Sequence, residues 1–181
     1  MSSTTIIPEC YVDTNLIETL VPPKDGKGYN HKKGCPAVAK VMIEKFADRF
    51  ALGIMDKDKK TVKYLEEFDL IVNTNSLYLH KHKTRHHYII LINPATERFV
   101  LNSAKELSIS LSQFGLPDNL EELKQITKPE TSKNNANLKS AFRALKDAPD
   151  FMILKSWVKY MRDNTFSTDT EELKKIATSN K

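Results

Sequence analysis

The sequence has few of the residues that mark several specialised classes of protein. Its two cysteines, Cys10 and Cys35, form no CxxC pair, so we expect neither a disulfide framework nor a cysteine-based zinc site. Five glycines and eight prolines in 181 residues exclude a collagen-like or low-complexity chain. A membrane-spanning helix is not expected, because no apolar run approaches the ~18 residues that a membrane span needs.

Signals for export are missing as well. Residues 1–15 contain no basic stretch followed by an apolar one, which a secretory signal would have. With two cysteines expected to stay reduced, this predicts a cytoplasmic protein. Hydrophobic residues make up 40% of the chain and charged residues 28%, so disorder throughout is excluded. The length allows one domain, or a small domain with a helical extension.

The excess of positive charge is small. Lys and Arg number 28 against 23 Asp and Glu, which gives a formal net charge of +5. This permits a polyanionic partner without requiring one. Basic residues concentrate in two segments, 24–34 and 80–87, which are either phosphate-binding or simply solvated surface. The candidate nucleic-acid contacts are Lys27, Lys32, Lys33, Lys81, Lys83 and Arg85. His80 and His82 also have the spacing of metal ligands on a strand, as a weaker alternative.

Strand patterns occupy the first half of the chain and helical patterns the second. Because helical patterns separate several of the strands, we predict an α/β fold with a mostly parallel sheet. The expected strands lie at about 5–12, 50–55, 70–72, 77–79 and 88–92. Beyond residue 110 only helices are expected, and the stripe around Trp157 predicts that they pack against a core. We therefore divide the chain into an α/β core, 1–109, and a helical C-terminal extension, 110–181.

Acidic residues lie at or just past the ends of three expected strands. Glu9 lies at or near the end of the first, Asp56 and Asp58 follow the second, and Glu97 opens the helix after the last. The carboxyl ends of parallel strands meet at one edge of a sheet, where ligands bind. Clustered carboxylates repel one another, and a divalent cation relieves that repulsion. All-oxygen ligands suit Mg²⁺ or Mn²⁺. A solvated strand end is the alternative, since a D-x-D triplet alone is weak evidence.

The order of these motifs resembles the TOPRIM domain of topoisomerases, primases and overcoming-lysogenization-defect (OLD) nucleases. The resemblance rests on Glu9, Asp13, the D-x-D of Asp56 and Asp58, and the segment 93–101, NPATERFVL. It covers residues 5 to about 101. The small OLD-like TOPRIM proteins of bacterial defence operons are the most similar group. A metal-binding TOPRIM-like sheet flanked by helices is the fold that this resemblance implies.

The resemblance also implies a function. Asp56 and Asp58 would bind Mg²⁺ or Mn²⁺, Glu9 would be a further ligand or the general acid–base, and Glu97 would complete a second metal site. The protein would then be a nuclease or nuclease subunit that hydrolyses phosphodiesters of DNA or RNA, in phage defence, with an ABC-type ATPase partner. Cys10 follows Glu9 where the family commonly has glycine. A non-catalytic regulatory or binding subunit with a degenerate TOPRIM fold is therefore the alternative.

Three further interpretations remain open at this stage. Asp13 is a good helix N-cap, so capping competes with metal binding at this residue. Cys35 precedes a helix that could stabilise a thiolate, although the sequence offers it no evident base. A D-x-D motif also occurs in nucleotidyl and glycosyl transferases, but here no Gly-Ser loop accompanies it.

Overall fold

A computed structural model describes residues 5–57 and 62–179. Five strands and seven α-helices make up most of this part of the chain. The strands are β1 (Ile6–Pro8), β2 (Ala51–Asp56), β3 (Phe68–Asn73), β4 (Leu77–His82) and β5 (His87–Ile92). The helices are α1 (Tyr11–Leu20), α2 (Cys35–Val41), α3 (Thr96–Glu106), α4 (Leu120–Thr127), α5 (Ala136–Ala144), α6 (Pro149–Asn164) and α7 (Thr170–Ser179).

The five strands form a single mixed sheet in the order β1-β2-β5-β4-β3. Strands β1, β2 and β5 run parallel, whereas β4 and β3 are antiparallel to their neighbours. The predicted α/β class is confirmed, but the prediction of a mostly parallel sheet is wrong. The physical reason is the length of the connections: residues 74–76 and 83–86 are too few for a crossover, so β3, β4 and β5 form a meander.

The sheet is covered on both faces. Strands β2 and β5 are buried along their whole length, as expected for inner parallel strands. Helices α1, α3, α5 and α6 contribute to the larger core on one face, and α2 packs on the other. Gly53 allows the close approach of the chain around α2, because a Cβ atom there would lie 3.0 Å from Met42 Sδ and 3.1 Å from Val38 Cγ1.

The helical extension shares the larger core with the sheet. Trp157 is fully buried, as its helical stripe predicts, and its Nε1 donates a hydrogen bond to the Leu173 carbonyl at 2.8 Å. Asn15 of α1 donates through Nδ2 to the carbonyls of Ser132 at 2.7 Å and Asn135 at 3.2 Å. The extension therefore packs against the sheet through apolar contacts and is joined to α1 by polar ones. The boundary at residue 109 stays a prediction.

Among residues 5–57 and 62–179, no helix combines the length and apolar composition that crossing a bilayer requires.

Candidate functional site

Two acidic side chains lie at the carboxyl ends of adjacent parallel strands. Glu9 directly follows β1, and Asp56 is the last residue of β2. The Glu9 amide donates to the Ile54 carbonyl at 2.9 Å, which continues the strand pairing. In return, the Asp56 amide donates to Glu9 Oε2 at 3.1 Å. Glu9 is 1% exposed and Asp56 7% exposed. The geometry thus brings together two of the residues that the sequence singles out.

A second donor orients the Glu9 carboxylate. Cys35, the first residue of α2, is buried, and its thiol donates to Glu9 Oε2 at 3.0 Å. The Gly34 amide donates to the Glu9 backbone carbonyl at 3.2 Å. The N-terminus of α2 is thereby connected to the end of β1. Cys35 acts here as a hydrogen-bond donor to a carboxylate, which differs from the nucleophilic role considered above.

The start of α1 differs from the prediction that Asp13 is its N-cap. Cys10 is the N-cap, and Asp13 is the third residue of the helix. The Asp13 amide donates to Cys10 Sγ at 3.4 Å, and the Cys10 amide donates to Asp13 Oδ2 at 3.2 Å. This is a capping box, in which both donors are satisfied reciprocally. Burial, then the Asp13 carboxylate, raises the pKa of the Cys10 thiol well above its usual value, so the thiol stays protonated.

Thr96, which the sequence did not single out, connects two acidic residues. It is fully buried at the first position of α3. Its hydroxyl donates to Asp13 Oδ1 at 2.6 Å, and its amide donates to Asp56 Oδ1 at 3.1 Å. The positive end of the helix dipole also favours carboxylates at this position. Its place directly before Glu97, at the start of the helix after β5, was the available signal.

Glu9, Cys10 and Asp56 border a cleft of about 490 Å³. Glu97 also lines it and accepts a hydrogen bond from the hydroxyl of Thr127 on α4. Asp58, the remaining acidic candidate, lies outside the described residues. The cleft has basic residues on its walls too: His31, Lys33, Lys124 and Lys128. Acidic and basic side chains therefore face the same opening.

The predicted nucleic-acid contacts are divided between two places. Lys33 lines the cleft, whereas Lys27 and Lys32 belong to the same loop but do not line it. Lys81, Lys83 and Arg85 lie in or beside the turn between β4 and β5, at the opposite edge of the sheet. The six residues of β5 separate this turn from the site edge by roughly 20 Å, at about 3.3 Å per residue. These three residues do not share a site with Glu9 and Asp56.

Lys124 and Lys128 are cleft residues that were absent from the predicted contacts. Lys124 lies in α4, and Lys128 directly follows that helix. The two residues are four positions apart, so their side chains project from the same side of the segment. Nothing local to α4 indicates that it packs beside strand ends more than 60 positions earlier in the chain.

Histidine pairs do not form a metal site here. His82 is buried, and its Nε2 lies 3.0 Å from Glu67 Oε2. Its Nδ1 accepts from the amides of Thr84 and Arg85, both at 3.1 Å. Both ring nitrogens are therefore engaged, which argues against the alternative of a His80–His82 ligand pair. Considering residues 5–57 and 62–179 alone, no three His, Cys, Asp or Glu side chains are grouped so that they could hold a metal ion.

Comparisons with known proteins add no relationship. No protein-family model matches the chain, and neither the curated proteins nor the solved structures contain a match.

Proposed function

We propose that the chain is a Mg²⁺-dependent phosphodiesterase of TOPRIM type that hydrolyses DNA or RNA, with Mn²⁺ as a substitute cation. One observation carries the proposal. Glu9 and Asp56 lie together at the ends of adjacent parallel strands, beside a cleft that also contains lysines. This combination provides oxygen ligands for a cation and positive charge for a phosphate backbone.

The donor set fits magnesium chemistry. Mg²⁺ is commonly bound through one or two carboxylates, with water and substrate phosphates completing its octahedron. Glu9 and Asp56 would supply those carboxylates, together with Asp58 as the sequence predicts. Glu97, across the same cleft, is the candidate for a second cation. When bound, the cation supplies charge neutralisation at the reacting phosphate.

The chain's own residues have separate roles in this proposal. Lys33, Lys124 and Lys128 bind phosphates of the strand and hold it across the cleft. Each such contact makes binding more sensitive to salt, with a slope of about 0.7 to 0.9 per phosphate in a plot of log affinity against log salt. If Glu9 is not itself a metal ligand, its carboxylate is the candidate acceptor for the proton of the attacking water. Thr96 and Cys35 orient the carboxylates.

The second candidate is a regulatory or binding subunit that does not cut. Glu9 and Asp56 are almost wholly buried and accept hydrogen bonds from within the protein, as carboxylates with a structural role also do. Such a subunit would bind an ABC-type ATPase partner. A role in phage defence accompanies either candidate, through the resemblance to OLD-like proteins.

Cleavage assays distinguish the two candidates. The substrates are plasmid, single-stranded DNA and bulk tRNA, with Mg²⁺ or Mn²⁺ at low salt. Matched variants are Glu9→Gln against Glu44→Gln, and Asp56→Asn against Asp69→Asn, since Glu44 and Asp69 are exposed and line none of the described cavities. We expect the site variants to lose at least about 100-fold in rate, the loss typical when one charge-stabilising group is removed.

Calorimetry of Mg²⁺ binding accompanies these assays. A wild-type chain that binds no Mg²⁺ and cuts no substrate would contradict the phosphodiesterase and favour the regulatory subunit. Equal cutting by Asp56→Asn and Asp69→Asn would contradict the proposed role of the cleft.

A further inference from the structure

A second cavity lies on the other face of the sheet at the end of β2. Its volume is about 360 Å³. Successive side chains of a strand point to opposite faces, so Met55 and Lys57 face this cavity whereas Asp56 is directed to the carboxylate cleft. Asp56 nevertheless borders both spaces. The two cavities therefore meet at this residue.

The walls of the second cavity are mainly apolar. They come from β2, β5, the exposed side of β3 and the short 3₁₀ helix Lys63–Glu67 with the residue before it. The apolar lining residues are Met55, Val62, Leu65, Leu70 and Leu91. Leu70 is 50% exposed, which is unusual for a large apolar residue on a strand. Such walls suit the flat apolar face of a ring.

Polar groups are few and lie around an aromatic ring. Tyr78 of β4 lines the cavity, and Lys57 Nζ lies 3.6 Å from the centre of its ring. His80, two residues further along the same face of β4, also lines it. Within the part of the chain that the structure describes, the buried Nδ1 of His80 has no hydrogen-bond partner.

The state of His80 matters for what it can bind. Burial lowers the pKa of the His80 imidazole, the Tyr78 backbone opposes this in part and the charge of Lys57 adds to it, so the ring is neutral at neutral pH. A neutral imidazole has one N–H donor and one nitrogen acceptor. It can therefore donate one hydrogen bond to a ligand edge or accept one from it.

We propose that this cavity is a nucleobase subsite of the carboxylate cleft, which takes one unstacked base of a single-stranded nucleic acid. Nucleobases have apolar faces and edges with both donors and acceptors, which fit the walls and His80 respectively. Stacking on an aromatic side chain is how single strands are commonly bound. That the phosphate of the bound nucleotide lies next to Asp56 rests on the proposed function. The binding of the base in this cavity does not.

A paired base is disfavoured at this subsite. A base in a duplex is stacked and hydrogen-bonded to its partner, so reaching a cavity of this kind requires flipping it out of the helix. A single strand does not have this cost in full. The inferred substrate class is therefore single-stranded DNA or RNA, or a single-stranded part of a larger nucleic acid.

Fluorescence anisotropy tests the subsite without metal or cleavage. The probe is a labelled single-stranded oligonucleotide, compared with an abasic strand of the same charge and with the duplex. We expect the intact strand to bind at least about fivefold more tightly than the abasic strand, since stacking is worth ~1–3 kcal/mol per base. His80→Phe and Tyr78→Leu should lose this preference while abasic binding stays unchanged.

The control variant is His86→Phe, which changes an exposed histidine at the opposite edge of the sheet. Circular dichroism verifies the fold of every variant. Equal affinity for intact and abasic strands, or a preference that survives both cavity variants, would overturn the subsite. If a mononucleotide competes as effectively as the oligonucleotide, the cavity binds a base, but the proposal that this base belongs to a nucleic-acid strand is overturned.

The cleavage assay keeps this proposal separate from the proposed function. A base preference in a chain that never cuts supports the subsite and contradicts the phosphodiesterase. Metal-dependent cutting without any base preference supports the phosphodiesterase and contradicts the subsite.

Discussion

The backbone amide of Asp56 donates a hydrogen bond to the side chain of Glu9, at 3.1 Å. The bond joins the residue after β1 to the last residue of β2, 47 positions apart in the chain. It fixes the direction of the Glu9 carboxylate relative to the strand that carries Asp56. The candidate site is thus assembled by the pairing of two strands, and the predictions below concern the groups that hold it in place.

Cys35 orients Glu9 through its thiol. In Cys35→Ala the Glu9 carboxylate loses a donor, so Mg²⁺ affinity in the cleft should fall by about tenfold, as for other groups that position a metal ligand. Cys35→Ser keeps a donor and should retain most of the affinity. Isothermal titration calorimetry measures both. If alanine and serine have the same effect, the thiol contributes only packing.

Thr96 stabilises the fold through its contact with Asp13. Thr96→Val has nearly the same shape but leaves the buried Asp13 carboxylate without the hydroxyl donor at 2.6 Å. We expect a loss of about 1–3 kcal/mol in the free energy of unfolding, the usual cost when a buried polar group loses its partner. Urea denaturation measures it. The exposed Thr178→Val is the matched control and should change stability much less.

Asn15 joins the helical extension to α1. Asn15→Ala removes the amide that donates to the carbonyls of Ser132 and Asn135, and both should then be poorly satisfied. We expect a loss of about 1–3 kcal/mol and faster proteolysis in the extension. Asn102→Ala, at an exposed position of α3, is the control. Identical proteolysis of both variants would show that apolar packing alone holds the extension.

His87 makes stability depend on pH. Burial, then the positive charge of Arg85, lowers the pKa of His87 to about 4 in the folded chain. The unfolded chain takes up this proton near pH 6.5, so between about pH 6.5 and 4 it binds more protons than the folded chain. The free energy of unfolding should therefore fall as the pH is lowered through this range.

Denaturation at several pH values measures this dependence. His87→Gln should reduce the slope of the free energy of unfolding against pH. His86→Gln is the control for the loss of a histidine. His87 also lies 2.7 Å from the hydroxyl of Tyr64, so the glutamine variant is compared with itself across pH and not with wild type at a single pH. A slope that is the same in wild type and His87→Gln would contradict the assignment of this pH dependence to His87.

Local patterns were enough to locate most elements of the fold. The runs at 50–55 and 88–92 are continuous and apolar because β2 and β5 are buried on both faces. Pro117, Pro129 and Pro149 lie at or beside joins of the helical extension. The antiparallel arrangement of β3 and β4 was missed, although the short connections at 74–76 and 83–86 were a usable signal.

The sequence by itself determined the α/β class, the helical second half and the position of acidic residues after strands. These properties depend on periodicity and on the chemistry of neighbouring residues. Only the tertiary structure decided which of these residues lie close together. It brings Thr96 between Asp13 and Asp56, puts Lys124 and Lys128 on the same cleft, and separates Lys81 from it by the length of β5. Strand order and helix packing set these distances, and both arise from burial of the whole core and not from any local pattern.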